Sequence, residues 1–364
     1  MKLINLCNSL EKFAPLFLQE DYDNSGLLIG NKNKIISKAI ICLDVTEEVL
    51  KEAISEKADV IIAHHPLIFK PLKKITASNT IERIVEKAIK HDIAIYAIHT
   101  NLDNVFEGVN NALAKQLDLK NIRILQAKPS TLKKLMVYVP SSHADNLRNA
   151  LFAIGAGNIG NYDSCSFQIE GEGSFRALEG SNPFVGNKNE LHFEGETKIE
   201  IVFPAYLKAK IIQTLHKNHP YEEPAYDIFA LENEWNITGA GMVGFLEKPM
   251  SEINFLKQLK RQTGTGCIRY SPLTGGYVQK IALCGGSGSF LIGAAKAAKA
   301  DIFITADIKY HEFFEAENQM IIADIGHYES EQFTKQLLVD YLNKKFPNFA
   351  VRISEPNTKV VNYL

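Results

Sequence analysis

Three groups of histidine and carboxylate residues carry most of the chemistry open to this sequence. The first is the pair His64-His65, followed by Pro66. The second is Asp103, in His99-Thr100-Asn101-Leu102-Asp103. The third is His327 with Glu331, in Asp324-Ile325-Gly326-His327-Tyr328-Glu329-Ser330-Glu331. Imidazole and carboxylate together suit divalent first-row ions. Three imidazoles and two carboxylates exceed one tetrahedral structural zinc and suit a pair of ions with positions left for water. A carboxylate shared between two ions roughly 3.5–4 Å apart is a common way to activate water. Residues i and i+4 share one helix face, so His327 and Glu331 can serve one site. Each group alone also has a plainer reading. His64 or His65 can be a hydrogen-bonded structural histidine, Asp103 can cap a helix, and His327 can simply open one.

Other positions carry weaker signals. Gly285-Gly286-Ser287-Gly288-Ser289 lies between a strand and a helix, where backbone N–H groups can hold phosphate. It lacks the P-loop lysine and a full dinucleotide fingerprint, and a tight turn also needs glycine. Asp307 and His311 follow another strand end and either face a substrate or belong to an ordinary loop. His311 is the candidate proton shuttle, since imidazole titrates near neutral pH. His99 either orients a ligand side chain from behind or is a buried, satisfied histidine. His219-Pro220-Tyr221-Glu222-Glu223-Pro224 reads as a ligand-binding turn or a proline-bounded entry into the next strand.

The elements that must position these residues alternate. Residues 39–43, 59–63 and 93–98 are apolar runs, separated by helical spacing over 46–57 and 78–90 and followed by more over 109–117. Continuous apolar strands between helices predict a largely parallel sheet covered on both faces. Ligands bind outside the carboxyl ends of such strands, and all three groups fall at strand ends. The last third repeats the style, with strands at 280–284, 301–304 and 320–324 and helices at 290–298 and 327–342. The middle differs. Strand 135–139, helix 144–154, strand 163–169, a glycine-rich meander, strand 198–203, helix 207–217 and strand 226–231 give the ferredoxin-like order. The expected architecture is therefore α/β. A split three-layer α/β core over 1–128 and 235–364 carries a mixed, mostly parallel sheet, and 129–234 is an inserted α+β ferredoxin-like domain. No repeat of fixed period is evident.

Composition sets the bounds. The chain has 364 residues, 40 basic and 42 acidic, for a net charge of −2. That balance argues against general nucleic-acid binding driven by phosphate neutralisation. Hydrophobic residues make up 46% and charged residues 23%, as in an ordinary globular protein. Five cysteines without a CxxC pair point away from a disulfide framework and towards a reducing, cytoplasmic compartment. No run of about eighteen apolar residues is present, so no membrane span is expected, and residues 1–11 lack the apolar core of a signal peptide.

Taken together, the motifs resemble the NIF-three-like family, dinuclear-metal-centre hexameric proteins labelled GTP cyclohydrolase I type 2 homologues. Asp23-Asn24-Ser25-Gly26-Leu27-Leu28-Ile29-Gly30 is similar to its N-terminal signature. Ala63-His64-His65-Pro66-Leu67-Ile68-Phe69, the His99–Asp103 stretch, residues 305–311 and residues 324–331 are similar to its other signatures, in the same order. Ala306 stands where many members have glycine. The middle segment resembles the insert of the longer bacterial members, and its 219–224 turn is similar to one in CutA and PII-like proteins. The resemblance implies that His64, His65, Asp103, His327 and Glu331 ligate two divalent ions per subunit. Their identity is open among Zn, Fe, Mn, Co and Ni. It also implies a toroidal homohexamer with the metal sites facing an internal cavity.

Two functions follow as expectations. The first is a metal-dependent hydrolase of a nucleotide or other phosphorylated small molecule, with GTP as candidate and purine C8 as a carbon open to activated water. The second is a non-enzymatic hexameric metal-binding or regulatory scaffold whose PII-like insert senses a ligand. Hydrolysis of a phosphoester or peptide by the same centre is a weaker third, because metals do not specify the bond cut.

Overall fold

The structure, a computed structural model, describes residues 1–364. It divides into two compact units, Met1–Ala127 with Asn236–Leu364, and Lys128–Trp235.

The first unit holds two sheets where one mostly parallel sheet was expected. In the first sheet the strands lie in the order Gly26–Ile29, Ala94–Ala97, Val60–Ala63, Lys38–Cys42 and Ala350–Ile353. All its pairings are parallel except at the Gly26–Ile29 edge. The second sheet has six strands and is mixed. Ile321–Asp324, Ile302–Ala306 and Tyr277–Ser287 run parallel, while Gly239–Ser251 and Lys120–Ala127 join antiparallel. The reason for two sheets lies at the borders of the second unit. Residues 120–127 and 239–251 pair with each other and extend the last third into a sheet of its own. Only Ala350–Ile353 crosses back, pairing with Lys38–Cys42.

Each sheet is covered on both faces, because successive strand residues point to opposite sides. Ile62 and Tyr96 pack on Leu3, Leu6, Leu10, Leu338 and Leu342, while Ile61 and Ile95 pack on Val49, Leu50, Ile84 and Val85. In the second sheet Leu283, Ile304 and Ile321 face Phe255 and Leu259, and Ala282 and Phe303 face Leu291 and Ile292. Helix Val109–Gln116 ties the two together, with Val109 in one core and Leu113 in the other.

The two sheets share a local device. Lys57-Ala58-Asp59 and Lys299-Ala300-Asp301 each precede a central strand, and both lysines are left-handed, with φ of 52° and 54°. Asp59 Oδ2 accepts from the N–H groups of Ser37 (2.6 Å) and Lys38 (3.0 Å) and from Ser37 Oγ (2.9 Å). Asp301 Oδ2 accepts from the N–H groups of Gln279 (2.8 Å) and Lys280 (2.7 Å). Each carboxylate fixes the start of the preceding parallel strand and so the register of its carboxyl end. The correspondence is one of geometry and three residues, too short to register as a sequence repeat.

The second unit is a four-stranded antiparallel sheet in the order Phe167–Arg176, Leu191–Pro204, Leu132–Pro140, Tyr226–Ala230, with helices Ala144–Ala153 and Lys208–Asn218 packed on it. The expected glycine-rich meander is instead a long hairpin, paired from Phe167↔Glu200 to Arg176↔Leu191. Its outer part is exposed on both faces, so it lacks the apolar alternation that marks a half-buried strand.

Asp59→Ala is expected to lower stability by about 1–3 kcal/mol, since hydrogen bonds to a charged acceptor are lost, and Asp301→Ala by a similar amount. Urea-unfolding midpoints of the two variants check this; unchanged midpoints would remove the register role.

Candidate metal centre

His64 and His65 continue past the end of strand Val60–Ala63, their N–H groups donating to Cys42 O (3.2 Å) and Leu43 O (2.9 Å). The chain bends there, and both rings come to one side, with centroids 4.9 Å apart. Asp103 lies in the short helical turn Thr100–Asp103 after strand Ala94–Ala97. His327 and Glu331 open and close the helix His327–Glu331 after strand Ile321–Asp324. Three strand ends from two sheets thus converge within the first unit.

Glu331 is at the centre and only 3% exposed. Its Oε2 lies 2.9 Å from His65 Nε2 and 3.2 Å from His327 Nε2, and its Oε1 lies 3.7 Å from His64 Nε2. On the far side of His64, Asp103 Oδ1 is also 3.7 Å from Nε2. His65 Nε2 and His327 Nε2 are 3.3 Å apart. The donor atoms of His64, His65 and Glu331 all lie within 4.8 Å of one another.

Each imidazole is held from behind. His64 Nδ1 donates to Ile98 O (2.8 Å), His65 Nδ1 bonds Asp44 Oδ1 (2.8 Å), and His327 Nδ1 bonds Asp307 Oδ2 (2.6 Å). Fixing Nδ1 aims Nε2 inward, as in histidine ligands of metal ions. The test of fit is at His64. It is fully buried, and with Nδ1–H committed to a carbonyl its Nε2 lone pair has no hydrogen-bond partner. Asp103 Oδ1 is likewise buried without a partner. Orphaned buried polar atoms are costly, and a divalent cation between these two would satisfy both. The nitrogen and oxygen donor set suits such an ion.

The electrostatics agree. Burial would raise the Glu331 carboxyl, but three imidazoles hold it well below the usual carboxylate range. Burial and the neighbouring Glu331 charge push Asp103 the other way, well above it. Burial lowers His64. Burial opposes charge on His65 and His327 too, yet the carboxylates on both nitrogens outweigh it and raise them to about 10 and about 11.

Several supporting residues emerge only in three dimensions. Asp44 follows strand Lys38–Cys42, and its position at a strand end is the signal that could have found it. Asp307, expected to face a substrate or a loop, holds His327. Asp23 holds His99 through Oδ1 (2.8 Å), and the His99 ring stands edge-on to His64 and His65, each centroid at 5.4 Å. Two of the N–H groups of the glycine loop are already taken. Gly285 N–H donates to Asn110 Oδ1 (2.8 Å) and Gly286 N–H to Ser330 Oγ (2.9 Å). Gly286 has φ 63°, and a Cβ there would collide with Glu331 Oε1. The loop is glycine so that Glu331 can approach. His311 is not brought to the cluster; it is exposed, and its ring lies against Tyr310 and Phe314.

The cluster opens into a cavity of about 530 Å³ lined by His65, His327, Asp307, Arg269, Lys359 and Tyr363 among others. Arg269 is bound to Asp324 and donates to Ile308 O (2.9 Å), and Lys359 Nζ lies 2.7 Å from Glu329 Oε1. No helix is long and apolar enough to cross a membrane.

Residues 1–359 match the family model Duf34/NIF3 (NGG1p interacting factor 3). A protein of Halalkalibacterium halodurans named GTP cyclohydrolase 1 type 2 homolog is 41% identical over 349 residues, covering 94% of each chain. A Bacillus subtilis protein of the same name is 39% identical, covering 97% of this chain and 96% of its own. The crystal structure of a Bacillus cereus protein related to NIF3 superposes with a TM-score of 0.85 at 37% identity, over 100% of this chain and 99% of that one. With likeness running through both units, the chain that builds this His–Glu cluster belongs to the Duf34/NIF3 family.

Proposed function

We propose that the chain is a metal-dependent hydrolase of a nucleotide-like, phosphorylated heterocycle, with GTP the first candidate. The observation that carries the metal half is the buried His64 Nε2, aimed without a partner between Asp103 and Glu331. The substrate half is supported by the name GTP cyclohydrolase 1 type 2 homolog borne by its relatives. His64, Asp103 and Glu331 Oε1 would hold one divalent ion, and His65, His327 and Glu331 Oε2 a second. Bound divalent ions supply positive charge for a developing oxyanion and acidify water. Asp44 and Asp307 keep the imidazoles aimed. Arg269 and Lys359 place cationic groups on the cavity wall, where phosphate oxygens would lie. Assembly into a homohexamer belongs to the same reading, and light scattering should give six times the mass of one chain.

The activity is tested by loading the protein with Mn²⁺, Fe²⁺ or Zn²⁺, supplying GTP and assaying formate. Formate release that His64→Ala and Asp103→Ala abolish supports the proposal; no formate with any metal rejects GTP.

Asp44→Ala and Asp307→Ala should each weaken metal binding by about 10–100-fold, the usual effect of removing a carboxylate behind a histidine ligand. Competition against a chelator measures this. Unchanged affinity would mean that the two carboxylates do not serve the ion.

Metal loading should release protons. In the metal-free protein His65 and His327 stay protonated up to about 10 and about 11, so at pH 7 an ion must displace a proton from each. Apparent affinity therefore rises with pH through the neutral range, and calorimetry in buffers of different ionisation heat should find at least two protons released. The same raised values stabilise the metal-free fold below the unfolded imidazole value near 6.5, and that contribution is lost as pH rises through about 10 to 11.

A further inference from the structure

The second unit contains a cavity that the metal chemistry leaves unused. Its volume is about 420 Å³, within the range of small-molecule sites. Aromatic rings of Tyr138, Phe175, Phe184 and Tyr221 form much of its wall, and Glu196 and Glu223 add carboxylates. No lysine, arginine or histidine lines it.

The turn at 219–224 builds one side. His219 is spent on structure, with Nε2 donating to Tyr138 O (2.8 Å) and Nδ1 accepting from Tyr221 N–H (3.1 Å). Those bonds fix where Tyr221 stands. Its ring lies 5.9 Å from Phe175 at 59° and 6.3 Å from Phe184 at 50°, so the three rings meet as a corner and not as a stack. Glu222 is also spent, its Oε1 accepting from Asn182 N–H (2.9 Å) and tying the 178–190 loop to the turn. Glu196 is different: no cationic side chain faces it in the cavity, and its carboxylate is set against the Tyr221 hydroxyl, whose titration burial and this charge raise. Its carboxylate fills the space in front of Gly173, where any Cβ would collide with Oε2. The hairpin is glycine there so that a charged group can sit beside the rings.

Glu196 is half-buried beside these rings, so its carboxylate is only partly hydrated and a cation next to it would restore a charge contact. The ring faces are themselves negative and attract cations. An anion would meet carboxylates and no cationic side chain. A neutral apolar ligand would gain nothing from Glu196. We propose that this cavity binds a compact organic cation, a quaternary ammonium or protonated amine carrying apolar substituents. The site is independent of the metal cluster and of any reaction there.

The test uses the full chain with choline and phenyltrimethylammonium as cationic probes and 3,3-dimethylbutan-1-ol as the neutral twin of choline. Titration calorimetry and saturation-transfer NMR read the binding. Saturable binding of at least one cation is expected, with the neutral alcohol at least about tenfold weaker than choline if choline is the cation bound. Glu196→Gln, which keeps the shape, should weaken the bound cation by at least about tenfold, and Tyr221→Leu should weaken it as well. Circular dichroism melts confirm that each variant is folded; if Tyr221→Leu is not, Phe175→Leu takes its place. His64→Ala, which disrupts the metal cluster, should leave binding unchanged. The proposal is overturned if neither cation binds saturably or if the alcohol matches choline. It is also overturned if Glu196→Gln binds like the parent protein or if His64→Ala abolishes binding.

Discussion

Burying the Glu331 carboxylate is the constraint that the rest of the first unit meets. A carboxylate with 3% exposure must be compensated; three imidazoles gather on it at 2.9–3.7 Å, and the two that hold protons, His65 and His327, supply the opposite charge. The three cannot come from one element. His64 and His65 end one strand of the first sheet, and His327 lies a turn of helix from Glu331 beyond the second. The two sheets must therefore meet with their carboxyl ends together, and helix Val109–Gln116, packed into both cores, holds them there. Even the nearest backbone yields: Gly286 leaves the room that Glu331 takes and Gly285 the room that Val109 takes, while Asn110 and Ser330 accept from their N–H groups.

The shared Asp59 and Asp301 devices show how two sheets deliver such accuracy. Each carboxylate fixes the amino end of a neighbouring parallel strand. With neighbouring strands locked in register there, their carboxyl ends keep a fixed offset. His65 then follows one strand and Asp307 the matching strand of the other sheet, and Asp307 reaches across to hold His327. The chemistry sits at one end of the sheets because the register is set at the other.

What was legible in the sequence follows the range of the forces involved. The central strands and their flanking helices are local apolar patterns, and the order of elements in 129–234 could be read from them. The groups His64-His65, Asp103 and His327–Glu331 stood out because histidine and acid at strand ends are unusual by type alone. The division of the first unit into two sheets was not legible. It depends on residues 120–127 pairing with 239–251, strands distant in sequence whose periodicity names no partner. Asp44 was missed because a single aspartate after a strand is ordinary until the histidine it holds is known, and Asp23, before the strand Gly26–Ile29, was quoted only as part of a family signature with no role attached. His311 was singled out for its titration range, but a side chain's chemistry says nothing about its direction, and it faces outward with Tyr310 and Phe314.

His64 and His65 show how far environment outweighs residue type. They are neighbours in sequence and both meet Glu331, yet burial lowers one and the other is raised to about 10. Their Nδ1 partners differ. A backbone carbonyl fixes the tautomer of His64 but adds no charge, so a proton on its Nε2 would be a buried cation without a carboxylate behind it. Asp44 stands behind His65 and makes its protonated form tolerable. The same carboxylate makes the neutral imidazole a stronger donor once the proton leaves. The two faces of Glu331 are therefore unequal. On the Oε1 face lies an uncharged imidazole with Asp103 beyond it, and on the Oε2 face lie two imidazoles each backed by an acid. Without a cation the Oε2 face satisfies itself with protons. The Oε1 face cannot, and that is why the unpartnered atoms of the cluster are His64 Nε2 and Asp103 Oδ1.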